Sequence, residues 1–353
     1  MWPLRRLPSP PDSTGDSLRS ERTAHPCSRP APETSRMTTA ETAPAPTAGD
    51  ATDPLTASVR LYEYSRAANP VGAGTTPSVP LREFPASLHR SFNETGIIPL
   101  DVSDVLGVAG PATSPALSAS FVRVLAGESI DTCPVATSEL VYVLAGSGTT
   151  SFTGGLIAWV RGDVFVLPAG LPATHAATDS ATFYRVTDEP LLRHLGVAPA
   201  DRRFPPTHFR GTELRAELAR IEASPHALDR NRLSVLMATA EQTRTLTITH
   251  VLWAMYGVVP PGAVQKPHRH QSVALDLIIS APEGCYTLVG RKLTKSGEIF
   301  APMRIDWEPG GVFITPPGMW HAHHNESTVP AYLLPVQDAG LQTHLTSLDI
   351  RFS

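Results

Sequence analysis

Two short stretches hold the residues of this chain best suited to chemistry. The first, KPHRHQSVALDLIIS, runs from Lys266 to Ser280 and places His268 and His270 one residue apart at the start of an apolar run. The second, EPGGVFITPPGMWHAHHN, runs from Glu308 to Asn325 and ends on His321, His323, His324 and Asn325. Side chains alternate faces along a strand, so His268 and His270 point one way and Arg269 the other. Two imidazoles on one face can share an ion, and His321 brings a third from a later strand. Alone, the His-x-His pair is a weak signal and reads better as two solvated surface histidines. The second stretch favours the metal.

The chain of 353 residues has room for two or three domains. Its net charge of −4 and lack of a dense Lys/Arg cluster exclude a phosphate-backbone surface, so no nucleic-acid partner is expected. No apolar run approaches the roughly 18 residues that cross a bilayer, so no membrane partner is expected either. The opening residues MWPLRRLPSPPDSTG lack the apolar centre of a signal peptide. Three scattered cysteines, Cys27, Cys133 and Cys285, argue against a disulfide framework and for a reducing compartment. A cytoplasmic protein is expected.

The elements that must position these histidines are strands. Residues 1–58 are rich in Pro, Ser and Thr, with no Val, Ile, Phe or Tyr, and are expected to form a disordered tail. Translation from Met37 rather than Met1 is an alternative account of part of it. From Val59 onward, short β-rich runs such as SASFVRVLAG, ELVYVLAGSGTT and LIAWVRGDVFVLPAG alternate with Gly and Pro turns, the grammar of antiparallel barrels. One helix interrupts, TELRAELARIEASP, with Thr212 as N-cap, Leu214, Leu218 and Ile221 on one face and Pro225 as its stop. Strand grammar then resumes in TLTITHVLWAMYGVVPPG, LDLIIS, CYTLVG and AYLLPVQD. RGDVFVLPAGLPATHAA in the first half and EPGGVFITPPGMWHAHHN in the second share their Gly, Pro, Gly and His punctuation, which indicates internal duplication. The expected organisation is all-β: an N-terminal barrel over 59–205, a helical connector over 206–245 and a C-terminal barrel over 246–353.

The paired motifs resemble those of the cupin superfamily, small β-barrels (jelly rolls) that read G-x5-H-x-H-x3,4-E-x6-G and then G-x5-P-x-G-x2-H-x3-N. Gly310, Pro316, Gly318, His321 and Asn325 match the second motif in full, and Gly262, His268 and His270 match the start of the first. Val273, Ala274 and Leu275 stand where the family carries Glu. PHRH at 267–270 and the run from Thr315 to Asn325 are most similar to the two-barrel gentisate and salicylate 1,2-dioxygenases. The resemblance implies Fe2+ on His268, His270 and His321, a small-molecule substrate, O2, and a homodimer or homotetramer. Mn2+ or Zn2+ would suit the same ligands. An open, neutral-ligand site suits a chelating hydroxylated aromatic, and ring-cleaving oxygenation follows as the expected activity.

His323 shares the face of His321 and is a candidate acid/base, or a solvated rim histidine. Gln271, Tyr286, Arg291 and Trp320 are candidate pocket residues, with barrel packing or surface as the bland alternative for each. Asp276 stands where the resembled family carries a carboxylate-binding Arg; facing the cavity it would repel an anion and point to a neutral or amine-bearing substrate, unless a base such as Arg291 pairs with it. In the first barrel, Cys133, Glu139 and His175 could form a second metal site, with loss of that site as the simpler reading. Two other functions fit the motifs: a metal-dependent cupin isomerase, decarboxylase or hydrolase, and a small-molecule-binding cupin without turnover.

Overall fold

The computed structural model describes residues 45–353. Met1, Cys27, Met37 and most of the expected tail lie outside the described residues. Within the remainder, Thr47–Ala48 pairs antiparallel with Arg60–Leu61, so order begins earlier than composition suggests. The turn between them is held by its own side chains: the Asp50 carboxylate accepts from the Thr52 N–H at 2.9 Å, and that of Asp53 from Leu55 N–H at 3.0 Å.

The β-branched and aromatic runs form three further sheets, antiparallel at every pairing. The first half makes one eight-stranded sheet, whose main order is Thr207–Phe209, Val164–Pro168, Ser138–Phe152, Ala173–Thr187, Ser118–Val124, Gly96–Pro99. Ser129–Thr132 and Gly155–Val160 pair onto its two long strands. Those strands, Ser138–Phe152 and Ala173–Thr187, each run 15 residues and pass their bend through shifts of register rather than breaking.

The second half breaks the equivalent strands. Ala274–Ser280 and Cys285–Gly290 are separated by a turn in which Gly284 takes φ +90°. Trp320–Asn325 and Ala331–Gln337 are separated likewise. Two sheets result, one six-stranded (Leu233–Met237, Trp253–Val259, Ala331–Gln337, Ala274–Ser280, Val312–Thr315, Arg82–Phe84) and one five-stranded (Met303–Asp306, Cys285–Gly290, Trp320–Asn325, Val264–Arg269, Arg351–Phe352). Arg82–Phe84 comes from the N-terminal half yet pairs with Val312–Thr315. The Glu308 carboxylate, accepting from Ala86 N–H at 3.0 Å, ties this crossing strand down.

A central core joins the eight- and six-stranded sheets, with Phe121 and Tyr184 from the former meeting Leu275 and Val336 from the latter. A second core lies within the eight-stranded sheet, and a third, containing Val259, Ile278, Val289, Trp307 and Phe313, lies between the strands of the second half. The expected helix spans Gly211–Glu222 and buries Leu214 and Leu218 against the central core. Burial of one such Leu contributes about 1.5–3 kcal/mol. Its N-cap is Arg210 rather than Thr212, because the Asp163 carboxylate accepts from Gly211 N–H at 2.7 Å and performs the capping from the turn before Val164–Pro168.

The stretches 159–175 and 307–323 keep the same spacing. Trp159, Gly162, Pro168, Gly170 and His175 recur without a gap as Trp307, Gly310, Pro316, Gly318 and His323. The counterpart of His175 is therefore His323, and the counterpart of His321 is Ala173. Register agrees, since Thr132 pairs with Ala173 as His268 pairs with His321.

Candidate metal centre

His268 lies near the end of Val264–Arg269 and His321 near the start of Trp320–Asn325, directly opposite each other in the ladder. A register shift between Gln265 and His268 re-aims the last residues of that strand. His270 lies just past the strand, where its carbonyl accepts from Gly318 N–H at 2.7 Å. Gly318 sits at φ +74°, which an L side chain rarely adopts, so the glycine of the turn allows the two histidine-bearing segments to meet.

The three side chains are buried, and among the described residues they form the one group of three ligand-type side chains whose nitrogens all lie within 4.8 Å of one another. Ring centroids stand 3.9 Å apart for His268 and His321, and 5.0 Å apart for His270 and His321. Each Nδ1 faces a main-chain carbonyl: Lys266 at 3.3 Å, Ser272 at 2.9 Å and Met319 at 3.0 Å. A protonated Nδ1 donating to each carbonyl leaves the lone pair of each ring on Nε2. Ser272 adds support, with its hydroxyl against His270 Nδ1 and on Gln337 at 2.8 Å.

Electrostatics keep these rings neutral. Burial lowers the pKa of His270 to about 4, and it holds His268 and His321 well below the ordinary value, with neighbouring Arg232 and histidines adding to the effect. Neutral imidazoles are what a cation needs. The buried Nε2 of His270 has no partner among the described residues, a cost that a bound cation would remove. The donor set thus fits a divalent transition metal.

His323 is buried beside them, its centroid 5.8 Å from that of His321. It is no rim histidine. Trp307 donates its indole N–H to the Thr287 hydroxyl at 2.8 Å, and that hydroxyl lies 2.8 Å from His323 Nδ1. A Thr287 hydroxyl that accepts from Trp307 has its proton free for Nδ1, which puts the proton of His323 on Nε2, an atom with no other partner among the described residues.

Arg232, unremarked in the sequence, also reaches this centre, donating from Nη2 to His268 Nε2. Its half-buried guanidinium has an unpaired Nε, and burial lowers its pKa to about 10, which leaves it charged at neutral pH. Nothing in its local pattern marks it: it precedes His268 by 36 residues, and only the pairing of Leu233–Met237 with Trp253–Val259 carries it here.

Asp276 is buried, and its carboxylate accepts from the Thr315 hydroxyl at 2.7 Å. Burial raises its pKa to about 6, opposed by that hydrogen bond and by Arg232. The base that Asp276 feels is therefore Arg232, not Arg291, which lies exposed after Gly290. The other pocket candidates also stand outside. Gln271 is exposed and accepts from Asp349 N–H at 2.7 Å. Trp320 alternates away from His321 and lies under the Arg269 guanidinium at 5.3 Å. Tyr286 donates to Glu326 at 2.6 Å, with Arg304 over its ring and His324 stacked on it at 4.6 Å. Strand alternation puts Tyr286 and His324 together on the outer face. Asn325 fastens the strand end, donating to the carbonyls of Val259 at 2.9 Å and Val329 at 2.8 Å.

The candidate second site does not assemble. Among the described residues, Cys133, Glu139 and His175 do not come together as a ligand group. Glu139 is buried in an ion pair with Arg185. Both nitrogens of His175 face hydroxyls, Thr150 at 2.8 Å and Thr132 at 3.0 Å.

No protein-family model matches the chain. A 5-aminosalicylate 1,2-dioxygenase of Comamonas sp is 37% identical over 90 residues, 25% of this chain and 24% of that protein. Gentisate 1,2 dioxygenase 1 of Aquipseudomonas alcaligenes is 31% identical over 83 residues, 24% of this chain and 20% of that protein. The chain thus matches about a quarter of the length of these curated relatives or less. Among solved structures, the salicylate 1,2-dioxygenase of Pseudaminobacter salicylatoxidans aligns with a TM-score of 0.63 at 13% identity, covering 78% of this chain and 90% of the other. A variant of that enzyme in complex with gentisate aligns with a TM-score of 0.65 at 13% identity, covering 83% and 91%. The chain therefore has the two-barrel cupin fold of these dioxygenases. Among the described residues, no helix is long and apolar enough to cross a membrane.

Proposed function

We propose that this chain is a non-haem Fe2+-dependent dioxygenase that cleaves the ring of a small ortho-hydroxylated aromatic carboxylate. The observation that carries this reading is the convergence of three buried neutral imidazoles whose Nδ1 atoms are pinned and whose lone pairs lie on Nε2. His268, His270 and His321 would hold the ion. A ferrous ion supplies a redox-active Lewis-acid position at which a chelating substrate and O2 can be held side by side.

The other residues act on the substrate. Arg232 is placed to pair with its carboxylate, exchanging its contact with His268 Nε2 for a bidentate ion pair. This assigns to a residue from between the two halves the charge that Asp276 cannot supply. Asp276, held by Thr315, instead balances Arg232 from inside the barrel. His323 presents its Nε2 proton as a donor to a substrate oxygen, with Thr287 and Trp307 fixing the ring. Burial excludes bulk water around all of these groups and strengthens each charge interaction. The N-terminal half buries one face of the sheet that carries Asp276 and serves as scaffold.

The test is anaerobic loading with Fe2+, followed by O2 uptake with gentisate, salicylate and 5-aminosalicylate. Uptake with at least one of them is expected, and Arg232→Met should raise KM about tenfold or more for the carboxylate while leaving its carboxamide analogue unaffected. Absence of uptake with every compound at full iron loading overturns the reading.

A further inference from the structure

Away from the histidines, a cavity of about 610 Å³ opens where the eight-stranded sheet meets the six-stranded one. Three guanidiniums line it, those of Arg90, Arg123 and Arg161, and no acidic residue does. This is unusual in a chain whose net charge is −4. Arg123 is held by the Thr182 hydroxyl at 3.0 Å, yet its buried Nε has no partner among the described residues. Arg161 stands exposed in the turn between Gly155–Val160 and Val164–Pro168, with no ion pair or hydrogen bond among the described residues. Arg90 meets Glu308 at 3.4 Å in a pair half open to solvent, which holds little energy, and donates from Nη2 to the Pro309 carbonyl.

The cavity is built as well as charged. His89 anchors its floor, with Nε2 3.1 Å from the Gly310 carbonyl. Gly310 itself takes φ +84°, and a Cβ there would come within 3.1 Å of that nitrogen. Burial holds the pKa of His89 below its ordinary value, with Arg90 and Arg123 adding to the effect and the Gly310 carbonyl and Glu308 opposing it. Leu144 and Ile279 supply apolar wall between the charges.

We propose that this cavity is a binding site for a small organic dicarboxylate, separate from the histidine centre. Guanidinium forks with free N–H groups match planar carboxylates bidentately, and separated charges favour two carboxylates over one. The apolar wall suits the carbon chain between them, which inorganic phosphate lacks. A volume of this size is ordinary for a small-molecule site. The assignment does not depend on the dioxygenase reading.

Calorimetric titration of the full chain with succinate, adipate, hexanoate and phosphate tests it. One dicarboxylate per chain should bind saturably, more tightly than hexanoate or phosphate, and more weakly as salt rises. Arg161→Glu should weaken it about tenfold or more, Arg161→Lys less, and Arg123→Met should weaken it similarly. His321→Ala should leave it unchanged. Phosphate binding as tight as the dicarboxylate, indifference to Arg161→Glu and Arg123→Met, or loss in His321→Ala alone would each overturn the proposal.

Discussion

The two halves of this molecule keep the same scaffold around two different centres. In each, a Trp indole donates to a Thr hydroxyl that orients a His: Trp159, Thr150 and His175 in the first half, Trp307, Thr287 and His323 in the second. In each, an Asp carboxylate after the last long strand accepts main-chain N–H groups at the start of a partner strand, Asp188 from Ser138 at 3.0 Å and Asp338 from Val273 at 3.0 Å. What differs is the inner layer. Thr132 and Ala173 stand where the second half has His268 and His321. His175 Nε2 is consequently satisfied by Thr132, whereas His323 Nε2 has no partner. A closed hydrogen-bond network is a structural solution, while an open one with unpaired buried nitrogens is held in readiness for a ligand.

The largest test of this contrast is removal of an inner-layer ligand. His321→Ala should abolish metal binding, measured as metal per chain, and should cost more activity than the roughly 10–100-fold typical of outer partners. Ala173→Ser, the matched change in the first half, should alter neither. If His268→Ala and His321→Ala both retain wild-type metal, the ligand assignment is wrong.

The next effect in size comes from the shared His. His323→Gln should keep its metal and lower kcat by about 10–100-fold, because an outer partner is lost but no ligand is. Equal loss of metal and kcat would put His323 in the inner layer instead.

The smallest effect is on stability alone. His175→Leu should leave metal and kcat unchanged but destabilise by about 1–3 kcal/mol, since the Thr132 and Thr150 hydroxyls lose their partner. Burial lowers the pKa of His175 to about 4, whereas an unfolded His titrates near 6.5. The unfolded chain therefore takes up its proton first, and this part of the stability is lost as pH falls from about 6.5 toward about 4. Chemical denaturation across that range should show a shallower pH dependence for His175→Leu than for the parent chain.

Much of this was legible in the residues. The turn punctuation marked the repeat, and the strand grammar marked mainly β halves and the helix Gly211–Glu222 but not the shorter helices Glu189–Leu195 and Ala339–His344. The spacing of His268, His270 and His321 singled out the histidines that meet. Other residues lie away from that centre, for a consistent reason. Gln271, Tyr286, Arg291 and Trp320 are close in sequence to those histidines, but alternation and strand ends turn them outward. The Trp that precedes each turn glycine by three residues marks the gapless register in which His175 matches His323.

By itself the sequence determined which side chains share a strand face and where glycine must turn the chain, because both follow from the two-residue period of a strand and from the steric freedom of a residue without Cβ. Tertiary structure alone decided that Arg232 enters the histidine centre, that Arg82–Phe84 crosses to the other half's sheet, and that Arg90, Arg123 and Arg161 share one cavity. These contacts join residues tens to hundreds of positions apart. They are set by how sheets pair and pack, and no local periodicity encodes that.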